Sequence, residues 1–289
     1  MEHFNSIFDI NIKTPTAITI GKFDGIHKGH HELISEIISK KTLGLFSCLI
    51  TFKKSPRLIL SKDITPSLFT NEERDYILEQ RGINYLIVNE FNKKFMELDA
   101  ITFIEILCKN LNMKFLAVGD DFTFGYKGSG NVGLLKKISR KYGFELKVFN
   151  KIKKDQKCIS STLIREELIK GNIKLVNEML GYEYFIFGQA IFEKNIKNKI
   201  PSIYVIPSNE KLIPKFGIYY TKIIFERNTY NSISRIGKKI KGKRGYKCSE
   251  NDILIETFIN ECINDLNGKR ISIIFLKIFP ETYLLVRNR

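Results

Sequence analysis

Five cysteines are scattered through the 289 residues (Cys48, Cys108, Cys158, Cys248 and Cys262), and no two form a C-x-x-C pair. That excludes a zinc ribbon and a disulfide scaffold, and it implies reduced thiols in a cytoplasm. No apolar run approaches the ~18 residues of a membrane helix. The opening, MEHFNSIFDI, lacks the basic region and longer apolar stretch of a secretory signal. There is no internal repeat. Histidine is scarce as well, with four in the chain. His3 falls in an expected frayed start, but the other three crowd into twelve residues, IGKFDGIHKGHH (20–31), together with three glycines.

What is present is the composition of a soluble globular protein, 43% hydrophobic and 27% charged, and long enough for two domains. The net charge of +16 divides as +6 over residues 1–185 and +10 over 186–289, with its densest run at GKKIKGKRGYK (237–247). No aromatic stacking pattern accompanies that run, so it reads as a solvated basic loop and no nucleic-acid partner is expected. A salt-dependent mobility shift would favour the alternative, a basic binding module.

Residues 1–150 alternate. LGLFSCLITF (43–52), INYLIV (83–88), KFLAVG (114–119) and FELKVF (144–149) read as buried strands. Helical patterns lie between them at 71–81, 100–111 and 130–142. Such alternation predicts parallel βαβ units with helices on both faces, and ligands at the carboxyl ends of the strands. Two short helices, 160–171 and 172–181, each end at a glycine. From 185 onward FIFGQAIF, SIYVIP, GIYYTKIIF, ILIETFI and RISIIFLKIF predict a small antiparallel barrel, with a domain boundary near 185.

The histidine-rich stretch follows a short apolar strand, PTAITI, and precedes HELISEIISKK, whose apolar residues have helical spacing. A helix N-terminus carries unpaired N–H groups and a partial positive charge, which suit an anion. Gly21, Gly25 and Gly29 would let a phosphate chain lie against the backbone. His27 and His30, in H-x-G-H spacing, would donate hydrogen bonds to a phosphoryl group whose charge grows in the transition state. In ISSTLIR (159–165), Ser160, Ser161 and Thr162 precede a helix, where hydroxyls serve as caps. Arg165, one turn further on, would reach a polyphosphate through its fork of donors.

These segments resemble the bacterial FAD synthetase family, the bifunctional riboflavin kinase/FMN adenylyltransferases. TIGKFDGIHKGHHELI follows the family's T-I-G-N-F-D-G-V-H-x-G-H, with Lys22 in place of Asn. VGDDFTFG (118–125) follows V-G-x-D-F-x-F-G, and ISSTLIR follows S-S-T-x-I-R. The resemblance implies a Rossmann-like H-x-G-H nucleotidyltransferase domain over 1–185 and a riboflavin kinase-type barrel over 186–289. It implies transfer of AMP from ATP to FMN, giving FAD and pyrophosphate, with Mg²⁺ on the phosphates. His27, His30 and Arg165 would be catalytic. Gly21, Phe23, Asp24, Gly25, Gly29, Ser160, Ser161 and Thr162 would bind the nucleotide, and Asp121 and Phe124 would lie toward the flavin. TFKKSP (51–56) departs from the family's T-F-x-P-H-P at Lys54 and Ser55.

The second half resembles the kinase barrel in outline. Glu256, in IETFI, falls where the family has its general base. The family's G-F-P-T-A-N, whose Thr and Asn help hold Mg-ATP, is matched by KIPSIY (199–204), with Ser202 for Thr and Tyr204 for Asn. EKNIKNK replaces the upstream glycines, and the chain stops at Arg289 where the family continues into a helix. The resemblance therefore implies an active adenylyltransferase with weak or lost kinase activity. The alternatives are a fully bifunctional enzyme, or an H-x-G-H adenylyltransferase with another phosphorylated acceptor. The residues leave metal ligands and oligomeric state open.

Overall fold

The computed structural model describes residues 1–53, 66–154, 156–193, 202–238, 253–259 and 266–280. By contacts the chain divides into two units, Met1–Thr65 with Arg74–Ile159, and Pro66–Glu73 with Ser160–Arg289.

The first unit is built on a six-stranded parallel sheet. In chain order its strands are β1 (Glu2–Phe4), β2 (Thr16–Ile20), β3 (Phe46–Phe52), β4 (Tyr85–Asn89), β5 (Met113–Gly119) and β8 (Glu145–Phe149). Across the sheet the order is β1-β4-β3-β2-β5-β8. The residues around His3 are therefore not frayed: they form an edge strand whose Glu2, His3 and Phe4 register with Tyr85, Leu86 and Ile87. All five residues of β2 are buried, as a strand covered on both faces requires. Helix α1 (Lys28–Ser39) buries Leu33, Ile34 and Ile37 and packs on β2, β3 and β5. Helix α2 covers Asn71–Gln80 and α3 is one turn, Lys93–Met96. Helix α4 (Ala100–Asn110) buries Phe103, Ile104 and Leu107 into a core shared with Ile18, Ile50, Ile87 and Leu116. A short hairpin, β6 (Thr123–Phe124) with β7 (Gly130–Asn131), leads into α5 (Val132–Tyr142), and a second, β9 (Lys153–Lys154) with β10 (Lys157–Cys158), follows β8.

From β2 the chain builds outward through β3 and β4, then returns to lay β5 on the other side of β2. The carboxyl end of β2 is thus the topological switch point, the place where open parallel sheets form ligand crevices.

The second unit is an antiparallel sheet of seven strands, β11 (Tyr184–Gln189), β12 (Ile191–Glu193), β13 (Ser202–Val205), β14 (Gly217–Phe225), β15 (Asn228–Lys238), β16 (Ile253–Ile259) and β17 (Arg270–Ile278), ordered β11-β17-β14-β15-β16-β13-β12. It curls into a barrel-like form. A Cβ added at Gly188 of β11 would lie 2.2 Å from Val205 of β13, although five positions separate these strands in the sheet order. Helices α6 (Ser161–Lys170) and α7 (Ile173–Leu180) belong to this unit by contact, which divides the chain at 159/160. The reason is in α7: the Asn177 amide donates to the Phe275 carbonyl and accepts from the Tyr184 N–H, tying the helix to β17 and β11.

Residues 66–73 are pinned to the same unit. Ser67 N–H donates to the Glu210 carbonyl, and Leu212 N–H to the Ser67 carbonyl. The Glu73 carboxylate accepts from Lys211 Nζ at 2.7 Å and from the Phe187 N–H at 2.8 Å. Both side chains of this ion pair are essentially sealed from solvent, and the ammonium also lies 4.1 Å from the Phe69 ring centre. Among the described residues no helix is long and apolar enough to cross a membrane.

Candidate active site

Past the end of β2 the chain makes a loop with two non-glycine residues at positive φ. Gly21 N–H continues the ladder to the Ile50 carbonyl, and Thr51 Oγ1 donates to the Lys22 carbonyl. Phe23 and Ile26 then adopt left-handed backbone, with φ of 45° and 34°. For a β-branched residue this is strained, by about 1–3 kcal/mol, and persists only where surrounding structure enforces it. Both side chains are completely buried, which supplies that enforcement. Asp24 is buried as well, its carboxylate 3.8 Å from the Lys22 ammonium.

His27 is the N-cap of α1, but its side chain caps nothing. Its ring stacks on that of His30, with centroids 4.0 Å apart, and Phe23 packs on His30 at 4.8 Å. A Cβ at Gly29 would come within 3.2 Å of the His27 ring, so glycine is what lets that ring lie against the first helical turn. Nδ1 of His27 and Nδ1 of His30 are both buried with no hydrogen-bond partner. Burial pushes His27 down to about 4. His30 is driven well below the usual histidine range, first by burial and then by its neighbours His27 and His31. Near pH 7 both rings are neutral, each with one N–H and one lone pair. Buried polar atoms are normally paired, and two orphans side by side at a helix N-terminus mark a place where a polar ligand belongs.

A cavity of about 700 Å³ opens beside the same strand ends. Six phenylalanines line it, Phe52, Phe91, Phe95, Phe103, Phe122 and Phe124, with Gly21, Lys22 and Lys127 also in the wall. Phe122 and Phe124 are nearly parallel with centroids 5.4 Å apart. Such a chamber suits a large flat ring system carrying a polar tail. Of the two residues expected toward the flavin, Phe124 lines it. Asp121 does not; its carboxylate pairs with Lys151 at 2.7 Å.

Ser160, Ser161, Thr162 and Arg165 lie in the second unit, on α6. Ser160 Oγ is the N-cap and accepts from the Leu163 N–H at 3.2 Å. Arg165 is half-buried and its Nε donates to the Pro66 carbonyl. In the barrel, Tyr204 and Glu256 are cross-strand partners. The buried Tyr204 hydroxyl donates to Glu256 Oε1 at 2.7 Å, while Arg235 Nε and Nη2 donate to Oε2 at 3.1 and 2.9 Å. Both oxygens of that carboxylate are therefore engaged. Ser202 is buried two residues before Tyr204 on the same strand.

A family model described as FAD synthetase matches residues 9–163. The chain belongs to the FAD synthetase family. A second model, described as riboflavin kinase, matches residues 180–282. The bifunctional riboflavin kinase/FMN adenylyltransferase of Buchnera aphidicola subsp. Acyrthosiphon pisum is 34% identical, covering 94% of this chain and 88% of that protein. Its namesake in Haemophilus influenzae is 33% identical over 77% of this chain and 74% of the relative. Among solved structures, a Streptococcus pneumoniae protein described as a macrolide-efflux protein superposes with a TM-score of 0.83, covering 99% of this chain and 95% of its own. At 23% identity that likeness speaks for the fold alone.

As a member of the FAD synthetase family, the chain keeps the histidine loop and its glycines while carrying Lys22 at the rim shared by loop and cavity. The aromatic wall was not legible beforehand beyond Phe124, although the spacing of Phe91, Phe95, Phe122 and Phe124 around strand ends was a usable signal. Lys54 and Ser55 lie outside the described residues, as do the segment 194–201 and all of the basic run except Gly237 and Lys238.

Proposed function

We propose that the protein adenylylates FMN: the flavin phosphate attacks the α-phosphorus of ATP in line, forming FAD and releasing pyrophosphate. The observation that carries this reading is the pair of stacked, unpartnered imidazoles over Gly29, at a helix N-terminus next to an aromatic chamber. Neutral imidazoles fit this role because they donate to phosphoryl oxygens without first releasing a salt-bridge partner. His27 and His30 are assigned to the α-phosphate, with Gly21, Phe23, Asp24, Gly25 and Gly29 forming the loop around it. Arg165, Ser161 and Thr162 are assigned to the remaining phosphates on their motif, with Ser160 holding the helix start. Phe124 and its aromatic neighbours are assigned to the flavin ring.

Among the described residues no group of three or more His, Cys, Asp or Glu is arranged to hold a metal. Mg²⁺ is assigned to the nucleotide's own phosphates, its usual way of binding with few protein ligands. The substrates are small molecules, and a cytoplasmic site of action fits the free thiols of Cys48, Cys108 and Cys158.

For the barrel we infer weak or absent riboflavin kinase activity. Tyr204 and Arg235 hold both oxygens of Glu256 and compete with a general-base role for it, and tyrosine offers no amide oxygen for Mg-ATP. The second reading, full bifunctionality, is favoured by the riboflavin kinase match over 180–282 and the retained Glu256. One assay separates them. Purified protein with ATP and Mg²⁺ is given FMN or riboflavin, and flavins are followed by chromatography. FAD from FMN with little FMN or FAD from riboflavin is expected. Robust phosphorylation of riboflavin overturns the kinase inference, and no FAD from FMN overturns the function.

A further inference from the structure

His31 directly follows the two histidines assigned to the phosphate, and its ring is held on both sides. Arg81, just past the end of α2, places Nη2 2.8 Å from His31 Nε2. The ring also makes a hydrogen bond to the backbone of Ile26. Arginine only donates, so Nε2 must be the lone-pair nitrogen. A neutral ring then carries its proton on Nδ1, and that proton goes to the Ile26 carbonyl. The ring's preference for the neutral form agrees: burial, then the Arg81 cation, pushes it down to about 4, against the opposing effect of the Ile26 bond.

Ile26 is the strained residue at φ 34°, and His27 is next in the chain. The His31 N–H makes the first i→i−4 bond of α1, donating to the His27 carbonyl at 3.0 Å, so the ring stands directly over the turn it steadies. The ring's bond thus adds a side-chain tie at the Ile26 carbonyl, immediately before His27, to the helical bond at the His27 carbonyl.

We propose that His31 and Arg81 are positioning residues for adenylyl transfer, an arginine–histidine–carbonyl chain that locks the strained loop so that the His27 and His30 rings stay stacked over Gly29. The proposal rests on the adenylyltransferase reading. Neither residue touches substrate; both act through Ile26 and His27. Misplacing a catalytic group by about 1 Å costs on the order of 10²-fold in rate.

The test uses the full chain. In His31→Phe, which loses both side-chain bonds, kcat for FAD formation is expected to fall about 10²-fold with the KM values for ATP and FMN changed far less. Arg81→Met keeps the His31 ring and its Ile26 bond but frees the ring from its arginine partner, and is expected to lower kcat about tenfold, again without a matching rise in KM. His31→Gln is expected to retain most of the turnover, because its amide oxygen accepts from Arg81 and its amide N–H reaches the Ile26 carbonyl. Wild-type kcat in both His31→Phe and Arg81→Met overturns the proposal. So does a loss in His31→Gln as deep as in His31→Phe, or a loss accounted for by unfolded protein in circular dichroism. Should His31→Phe not fold, Arg81→Met and His31→Gln decide the matter. The tautomer is read independently of activity from side-chain ¹⁵N shifts: an unprotonated Nε2 on His31 is expected, and a protonated one overturns the chain of bonds. Wild-type protein that makes no FAD yet shows this tautomer strikes the function and leaves the geometry standing.

Discussion

Neutral histidines change what an H-x-G-H loop can offer. With His27 pushed down to about 4 and His30 driven well below the usual histidine range, the two rings are neutral N–H donors near pH 7 and not standing cations. Replacing either with alanine is expected to lower FAD formation by on the order of 10²-fold, the scale of losing one transition-state donor. Steady-state turnover checks this, and near-normal rates in both variants would remove the role. The same burial ties these rings to stability. Below the ordinary histidine value of 6.5 the unfolded chain takes up protons that folded His27 and His31 refuse until about pH 4. The unfolded state thus binds more protons in that window, and stability is lost as pH falls through it. The urea midpoint is expected to decline from pH 6.5 to 4, and His27→Gln to flatten the decline. An identical pH slope in that variant would count against the burial account. Arg165 makes a different claim. If its fork holds pyrophosphate, Arg165→Lys should not rescue the activity lost in Arg165→Ala, since a point charge lacks that geometry. A fully active lysine variant would reduce Arg165 to a general source of positive field.

Among the elements, strands rich in branched apolar residues were readable from sequence, and polar ones were not. GIYYTKIIF and ILIETFI match β14 and β16 residue for residue. The strand between them, β15, reads NTYNSISRIGK and shows too few apolar residues to announce itself. It is a strand because its inward positions are hydroxyls that satisfy one another. Thr221 Oγ1 lies 2.8 Å from both Ser232 Oγ and Ser234 Oγ, and Ser234 Oγ lies 2.8 Å from Thr257 Oγ1. Replacing Ser234 with alanine leaves two buried hydroxyls short of a partner, at an expected cost of about 1–3 kcal/mol in denaturant unfolding. A variant as stable as wild type would mean that the network contributes nothing net. The edge strand β1 escaped notice for a related reason: three residues carry no periodicity, and their strand character comes from pairing with β4. The histidine loop, by contrast, was legible because its chemistry is concentrated in one short stretch. Its tight φ angles were not, since nothing in the letters of Phe23 or Ile26 calls for left-handed backbone.

At the scale of the whole molecule, the sequence split the chain near 185, whereas contacts assign residues 66–73 and both short helices to the second unit. Composition cannot reveal such a contribution, because the segment's partners lie 99 residues or more further on. Lys211 is the clearest of them, pushed down to about 8 by burial and held charged by Glu73. Lys211→Met strands the Glu73 carboxylate and is expected to cost about 3–5 kcal/mol, the scale for breaking a buried pair. Unfolding midpoints in urea measure it, and a neutral result would show that the pair was not the clamp it resembles.

That pairing has a consequence for how the protein can be divided and how it is made. A gene fragment beginning at residue 160 encodes all seven barrel strands yet lacks Glu73, the counter-ion of the Lys211 ammonium among the described residues. During synthesis the order is reversed: Glu73 leaves the ribosome long before Lys211 exists, and its carboxylate must stay hydrated until the barrel arrives to enclose it. Cutting the chain at the apparent seam would therefore yield a barrel fragment missing a piece of its own interior, and supplying residues 66–73 as a separate peptide is the natural way to restore it.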